Sequence, residues 1–439
     1  MSLILISLLI LSGEISLESM KLLIKSATLV DNASDLNFKV KDILIKDGVI
    51  TEISDKIESK ADKIIKYKNL HVSEGWLDTS VSFGEPGYEE RESIENGLIT
   101  AASSGFTSVL LNPNTKPLTD SHSSVSHIIK KSINHTTKLY PIANLTLNAK
   151  GQELAPLYDM KLAGAIAYGD HKKSIKDSSL MKIALEYSKS FGGLVISYSN
   201  DESLSSNGVM NEGLISTSLG LKGLPNISES IQVYRDLEIL EYTGGKLHIP
   251  YISTAKSIGM IRNAKKKGLN ITSSVSLAHL ILNDDDLSDY NTNLKLSPPL
   301  RSKKDSDLLK DALLDGTIDY VTSMHEPIDI DNKKVEFDNA LSGSIGIECV
   351  FGVLSTIFPL DKVIDILTRR KNELSITQNK IQVGSNAEMA LFDPDFSYRF
   401  EEDHILSTSK NCAFIGQKMN GKVYGTINND NLCENKLWI

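Results

Sequence analysis

The chain has 439 residues, 41% of them hydrophobic, and a formal net charge of −9. That is enough to bury one large core and a smaller lobe, while the acidic balance argues against an electrostatic nucleic-acid surface. The cysteines are Cys349, Cys412 and Cys433, an odd number without Cys-x-x-Cys spacing; this fits a reducing cytoplasm and no structural zinc.

Leu3 to Leu11 is an almost wholly apolar run, too short for a membrane span. No Lys or Arg precedes it and no clear small-x-small cleavage site follows, so residues 1–19 are read as an extension, not native or disordered, ahead of a folded start at Met20 rather than as a working signal. From 20 to 74 the pattern is β-rich, with Lys46-Asp47-Gly48 as a hairpin turn between Asp42–Lys46 and Val49–Ile53.

From Trp76 apolar strands alternate with helices. The predicted strands are Trp76–Phe83, Thr107–Asn112, Leu139–Leu147, Gly164–Tyr168, Gly193–Ser199, Lys246–Ile252, Asn270–Ser276 and Ile318–Met324. Helices are predicted at Ser93–Ser104, stopped by Gly105, and at Ser228–Tyr242, stopped by Gly244-Gly245. Eight such units over 75–375 predict a (β/α)8 TIM barrel, a fold that takes about 250 residues. After residue 376 the pattern returns to β, and 376–439 is expected to join 20–74 in a small β-sandwich lobe drawn from both chain ends.

Several motifs bear on function. Gly75-Trp76-Leu77-Asp78-Thr79-Ser80-Val81-Ser82-Phe83-Gly84-Glu85-Pro86-Gly87 opens the first barrel strand. Gly105-Phe106-Thr107 precedes Asn112-Pro113-Asn114-Thr115-Lys116-Pro117. Ile252-Ser253-Thr254-Ala255, Ser297-Pro298-Pro299-Leu300-Arg301, Asp315-Gly316-x-Ile318-Asp319 and Gly343-x-Ile345-Gly346-Ile347-Glu348 follow. Together they resemble the dihydroorotases, metal-dependent cyclic amidohydrolases of pyrimidine biosynthesis, over nearly the whole chain from Met20.

The resemblance implies the amidohydrolase type of barrel and a zinc site, and the site positions are where this chain departs. The family's first strand carries Asp-x-His-x-His and an arginine; here these read Ser80, Ser82 and Gly84. Asp170 in Gly169-Asp170-His171-Lys172 keeps the family's acidic ligand. The fifth strand's His-Cys-Glu-Asp is Tyr198-Ser199-Asn200-Asp201. The sixth's His-x-x-His is His248-Ile249-Pro250-Tyr251, where only the non-ligand histidine survives. The eighth's Asp-His-Ala-Pro-His is Met324-His325-Glu326-Pro327-Ile328, so Met324 replaces the catalytic aspartate. Asn114 remains as a substrate-binding remnant.

One carboxylate cannot hold zinc competently, because zinc takes three or four imidazole, thiolate or carboxylate donors. Neither a metal cofactor nor a catalytic residue is therefore expected. A relocated metal on Asp170, His171 and His325 is the competing arrangement; the bland reading makes these ordinary loop or core side chains. Asp78, which in the family buttresses metal histidines, is read as a buried hydrogen-bond anchor. The pairs Asp201-Glu202 and Lys172-Lys173, and the run Lys265-Lys266-Lys267, are read as solvated charges.

The resulting expectation is a dihydroorotase homologue without activity, serving as a structural or regulatory partner of aspartate transcarbamoylase or another pyrimidine-pathway protein. It would be a cytoplasmic homo-oligomer that engages neither nucleic acid nor membrane. The alternatives are an active cyclic amidohydrolase with a rebuilt site, converting dihydroorotate and water to N-carbamoyl-aspartate, and a non-catalytic small-molecule sensor using Asn114.

Overall fold

The computed structural model describes residues 21–439 apart from 206, 288 and 370, so the expected extension 1–19 lies outside the described residues. The chain first lays down β1 (Lys21–Leu29), β2 (Val40–Lys46), β3 (Val49–Ser54), β4 (Lys63–Ile65) and β5 (His71–Glu74). β2 and β3 pair antiparallel through Asp47 and Gly48, both with positive φ, 51° and 72°. Two consecutive left-handed residues give the tight turn that matches strand twist. At the other end of the chain β16 (Glu388–Arg399), β17 (Lys418–Asn428) and β18 (Asn431–Glu434) complete the same mixed sheet, in the order β18-β17-β16-β5-β1-β2-β3 with β4 on β1. Both chain ends therefore build the lobe, joined where β5 meets β16 antiparallel.

Between them run the barrel strands: β6 (Trp76–Val81), β7 (Phe106–Leu111), β8 (Lys138–Ala143), β9 (Ala167–Tyr168), β10 (Val195–Ile196), β13 (Leu247–Ile249), β14 (Ile271–Ser276) and β15 (Tyr320–Thr322). All neighbours are parallel in this order. The short β11 (Met210–Asn211) and β12 (Gly223–Leu224) pair only with each other, outside the ring. Each predicted barrel strand has its counterpart. Helices Ile94–Ser103 and Ile227–Thr243 fall where predicted. The first is capped by Ser93, whose side chain accepts from the Asn96 N–H at 3.1 Å, and Gly244, at φ 67°, ends the second in the left-handed conformation a helix C-terminus favours.

The ring is completed between β15 and β6. Asp78 on β6 accepts hydrogen bonds from the Thr322 hydroxyl at 2.5 Å and the Ser323 N–H at 3.0 Å. The Ser82 N–H donates to the His325 carbonyl at 2.7 Å, and Val81 bridges His325. Asp78 is thus the buried anchor expected of it.

The barrel's lower interior is filled by Leu77, Leu110, Ile142, Ala167 and Tyr320, with Leu374 and Ile376. Beside them, the buried Lys371 ammonium pairs with Glu388 at 2.7 Å and donates to the Gly75 carbonyl, fastening the barrel to the lobe. This apolar and ionic floor leaves the C-terminal strand ends as the only face where a barrel of this kind hosts chemistry. Among the described residues no helix is long and apolar enough to cross a membrane.

Candidate functional site

The C-terminal ends of β6, β7 and β13 converge on a hydroxyl-rich cluster. Ser80, at the end of β6, shares a short hydrogen bond with the Tyr251 hydroxyl. Asn112, just after β7, donates from Nδ2 to Ser80 Oγ at 2.9 Å and to Ser82 Oγ at 3.1 Å. Tyr198, after β10, bonds Ser297 Oγ at 2.8 Å, and its ring meets Tyr251 edge-on at 6.4 Å. Met324, after β15, is buried. Tyr251 and Met324 both hold left-handed backbone, at φ 55° and 49°, an uncommon conformation for bulky residues.

Ser80, Ser82, Tyr198, Tyr251 and Met324 occupy the positions at which the resemblance to dihydroorotases places metal ligands and the catalytic acid, and their chemistry does not suit zinc. Burial pushes the Tyr198 phenol up to about 12 and raises Tyr251 as well, so both remain protonated at neutral pH. A protonated phenol bonded to a serine hydroxyl offers no anionic donor to a cation. Replacing Tyr251 with phenylalanine is expected to cost about 1–2 kcal/mol of stability in urea unfolding, because it leaves Ser80 one partner short, and to leave metal content unchanged.

The retained carboxylate is also committed elsewhere. Asp170 accepts from the Thr146 hydroxyl and, at 3.1 Å, from the Thr146 N–H. Burial raises its carboxyl above the ordinary value despite those bonds.

The structure does not assemble the relocated metal set. His171, at φ 55°, turns its Nε2 to Glu326 Oε1 at 3.5 Å. His325 accepts at Nδ1 from the Gly346 N–H at 3.2 Å, and burial lowers it to about 4. Asp170, His171 and His325 each serve a different partner, and among the described residues no three His, Cys, Asp or Glu side chains form a group that could hold a metal. His248 lies between Thr272 Oγ1 and Ser274 Oγ at 2.9 and 3.2 Å, and His279 Nε2 donates to the Pro299 carbonyl at 3.0 Å; both are core histidines. A zinc site of the family type therefore does not fit the residues present.

Two residues at this face escaped the sequence reading. Lys172, read as solvated, has only 13% of its side chain exposed and pairs with Glu326, which is equally covered. Burial alone would raise the Glu326 carboxyl, but Lys172 and then His171 outweigh it and hold it well below the usual carboxylate range. The signal lay in Met324-His325-Glu326, where a charged residue replaces the family's alanine. Lys265 likewise is not free, since its ammonium reaches both oxygens of the buried Asp319 at 2.6 Å. Asp201 and Glu202 conform to expectation: Asp201 caps Ser203, and Glu202 meets Lys176 at the surface.

What remains open at the barrel's centre is small. Ser80, Asn112, His171, His248, Tyr251 and their neighbours line a cavity of about 20 Å³, room for roughly one water. Asn114 sits nearby half-buried, and its side-chain oxygen has no hydrogen-bond partner among the described residues.

Comparison with known proteins agrees with the fold and the motifs. Residues 71–257 match the family model described as dihydro-orotase-like. The dihydroorotase of Acetivibrio thermocellus is 38% identical over 419 residues, covering 94% of this chain and 98% of that protein. The dihydroorotase of Pelotomaculum thermopropionicum is 36% identical, covering 93% and 97%. Among solved structures, the L-hydantoinase (dihydropyrimidinase) of Arthrobacter aurescens superposes with a TM-score of 0.82 at 19% identity, over 94% of this chain and 96% of that one. That structural likeness bears on the fold, an amidohydrolase-type barrel with a lobe from both chain ends. With better than one-third identity to dihydroorotases along almost their full length, the chain belongs to the dihydroorotase family.

Proposed function

We propose that this protein is a catalytically silent member of the dihydroorotase family, acting as a structural or regulatory partner in pyrimidine biosynthesis. The observation that carries the reading is the bonded cluster of Ser80, Asn112 and Tyr251. It fills the place where hydrolysis of a cyclic amide needs metal-bound hydroxide and a proton-shuttling carboxylate. The well-formed barrel and lobe around that cluster favour a role resting on shape rather than turnover. Aspartate transcarbamoylase is the partner to which the resemblance points. A sensor binding its ligand in the old site would need far more room than the cavity offers.

The test is elemental analysis of the purified protein together with a dihydroorotate hydrolysis assay in added zinc. Absence of both stoichiometric metal and turnover is the expected result. One or two metals per chain with measurable turnover would overturn the reading in favour of a rebuilt site. Capture of the same organism's aspartate transcarbamoylase by the immobilised chain tests the partner separately; failure to associate removes that part of the proposal.

A further inference from the structure

Lys172 and His171 follow β9, and Glu326 follows β15. In the eight-strand order β6-β7-β8-β9-β10-β13-β14-β15, these two strands lie four places apart. Four places in a ring of eight is the opposite side, so the ion pair of Lys172 with Glu326 crosses the barrel's mouth from rim to rim. His171 adds its Nε2 at 3.5 Å from the other Glu326 oxygen. The three side chains are nearly covered, with 13%, 13% and 10% exposed for Lys172, Glu326 and His171.

We propose that Lys172 and His171 form an anion site for a small carboxylate, and that the chain fills this site with its own Glu326 as a strap across the barrel mouth. The side chains suit such a ligand: an ammonium that bonds one carboxylate oxygen, and a buried imidazole whose Nε2 lies 3.5 Å from the other and has no hydrogen-bond partner of its own among the described residues. His171 also lines the central cavity together with Ser80 and Tyr251, so the strap closes directly over the silent cluster. The backbone fixes Glu326 in place, since its N–H donates to the Ser344 carbonyl at 2.8 Å and its carbonyl accepts from Asn411 Nδ2 at 3.0 Å. On the opposite rim His171 holds left-handed backbone, at φ 55°. Neither partner can leave without stranding the other charge away from water.

The inference rests on the reading of a silent site, but its test involves no metal and no turnover, so the two can fail separately. Removing the internal carboxylate in Glu326→Ala should lower the melting temperature and create a site for acetate or formate. Acetate in the millimolar range should then restore part of the lost melting temperature in a saturable way, compared with chloride at equal ionic strength. The wild type should show no saturable response. Lys172→Met combined with Glu326→Ala should abolish the acetate response. An identical response of wild type and Glu326→Ala to acetate would overturn the proposal, as would a response that survives in the double variant. Should Glu326→Ala not fold, Glu326→Gln keeps the volume and removes the charge. In that variant the amides of residues 169–173 and 325–328 should exchange with solvent at least about tenfold faster than in the wild type; unchanged exchange would overturn the strap.

Discussion

Acidification from pH 7 to pH 4.5 is expected to lower the unfolding free energy by about 5 kcal/mol through His248 and His279 alone. Burial holds His248 at about 3 and His279 at about 4 in the folded chain, against an ordinary 6.5. Above pH 6.5 both states carry neutral imidazoles and neither residue matters. Below it the unfolded chain binds the proton and the folded one does not, so stability is lost progressively down to the folded values. By pH 4.5 each histidine contributes about 2.5 kcal/mol to that loss. Buried carboxyls held above their ordinary range, Asp78 and Asp170 among them, pull the other way as they take up protons. The histidine part is therefore read as a difference: between pH 6.5 and pH 5, His279→Gln should lose about 2 kcal/mol less than the wild type in urea titrations. Equal slopes for the two proteins would mean that His279 can protonate in the fold.

The second large effect is expected at the seam of the barrel. Asp78→Ala should cost about 4 kcal/mol, because three hydrogen bonds to a buried carboxyl vanish and their donors are left dry. Those donors are the Thr322 hydroxyl, the Ser323 N–H and, at 3.0 Å, the Ser80 N–H. Asp78→Asn should cost about half as much. Its amide oxygen keeps the two donors at Oδ1, while its NH2 faces the Ser323 N–H. Urea unfolding checks both values. A loss below about 1 kcal/mol for Asp78→Ala would place the closure in the backbone contacts of Val81 and Ser82 with His325 instead.

The barrel was legible in the sequence because its strands are apolar runs bounded by turns, a pattern that does not depend on distant residues. The ends of the strands were less so. β9 and β10 keep only two ladder residues each, against the five and seven predicted: β9 joins the ladder three residues late and still ends at Tyr168, while β10 both starts late and leaves early. The substituted ligand positions could be read one motif at a time. What they now bond could not: Ser80 and Tyr251 lie 171 positions apart, and Lys172 and Glu326 lie 154 apart. Local pattern carries no trace of such pairings. The same blindness made Asp170, His171 and His325 look like neighbours on strand ends, although the fold sends each to a separate partner.

Gly84 stands where the resemblance places the substrate-holding arginine. A Cβ built there would lie 1.7 Å from the Tyr88 carbonyl oxygen and 2.7 Å from its carbon. The contact is with backbone, so no side-chain rotation relieves it. The following loop has settled into the space a longer residue would need, and the Tyr88 and Gly84 N–H groups are tied into it through bonds to the Gly84 and Glu92 carbonyls. An arginine could return only after that loop had first moved, and a moved loop has no benefit until the arginine is back. The two changes block each other: no single point mutation places an arginine side chain at this position while the loop keeps its course.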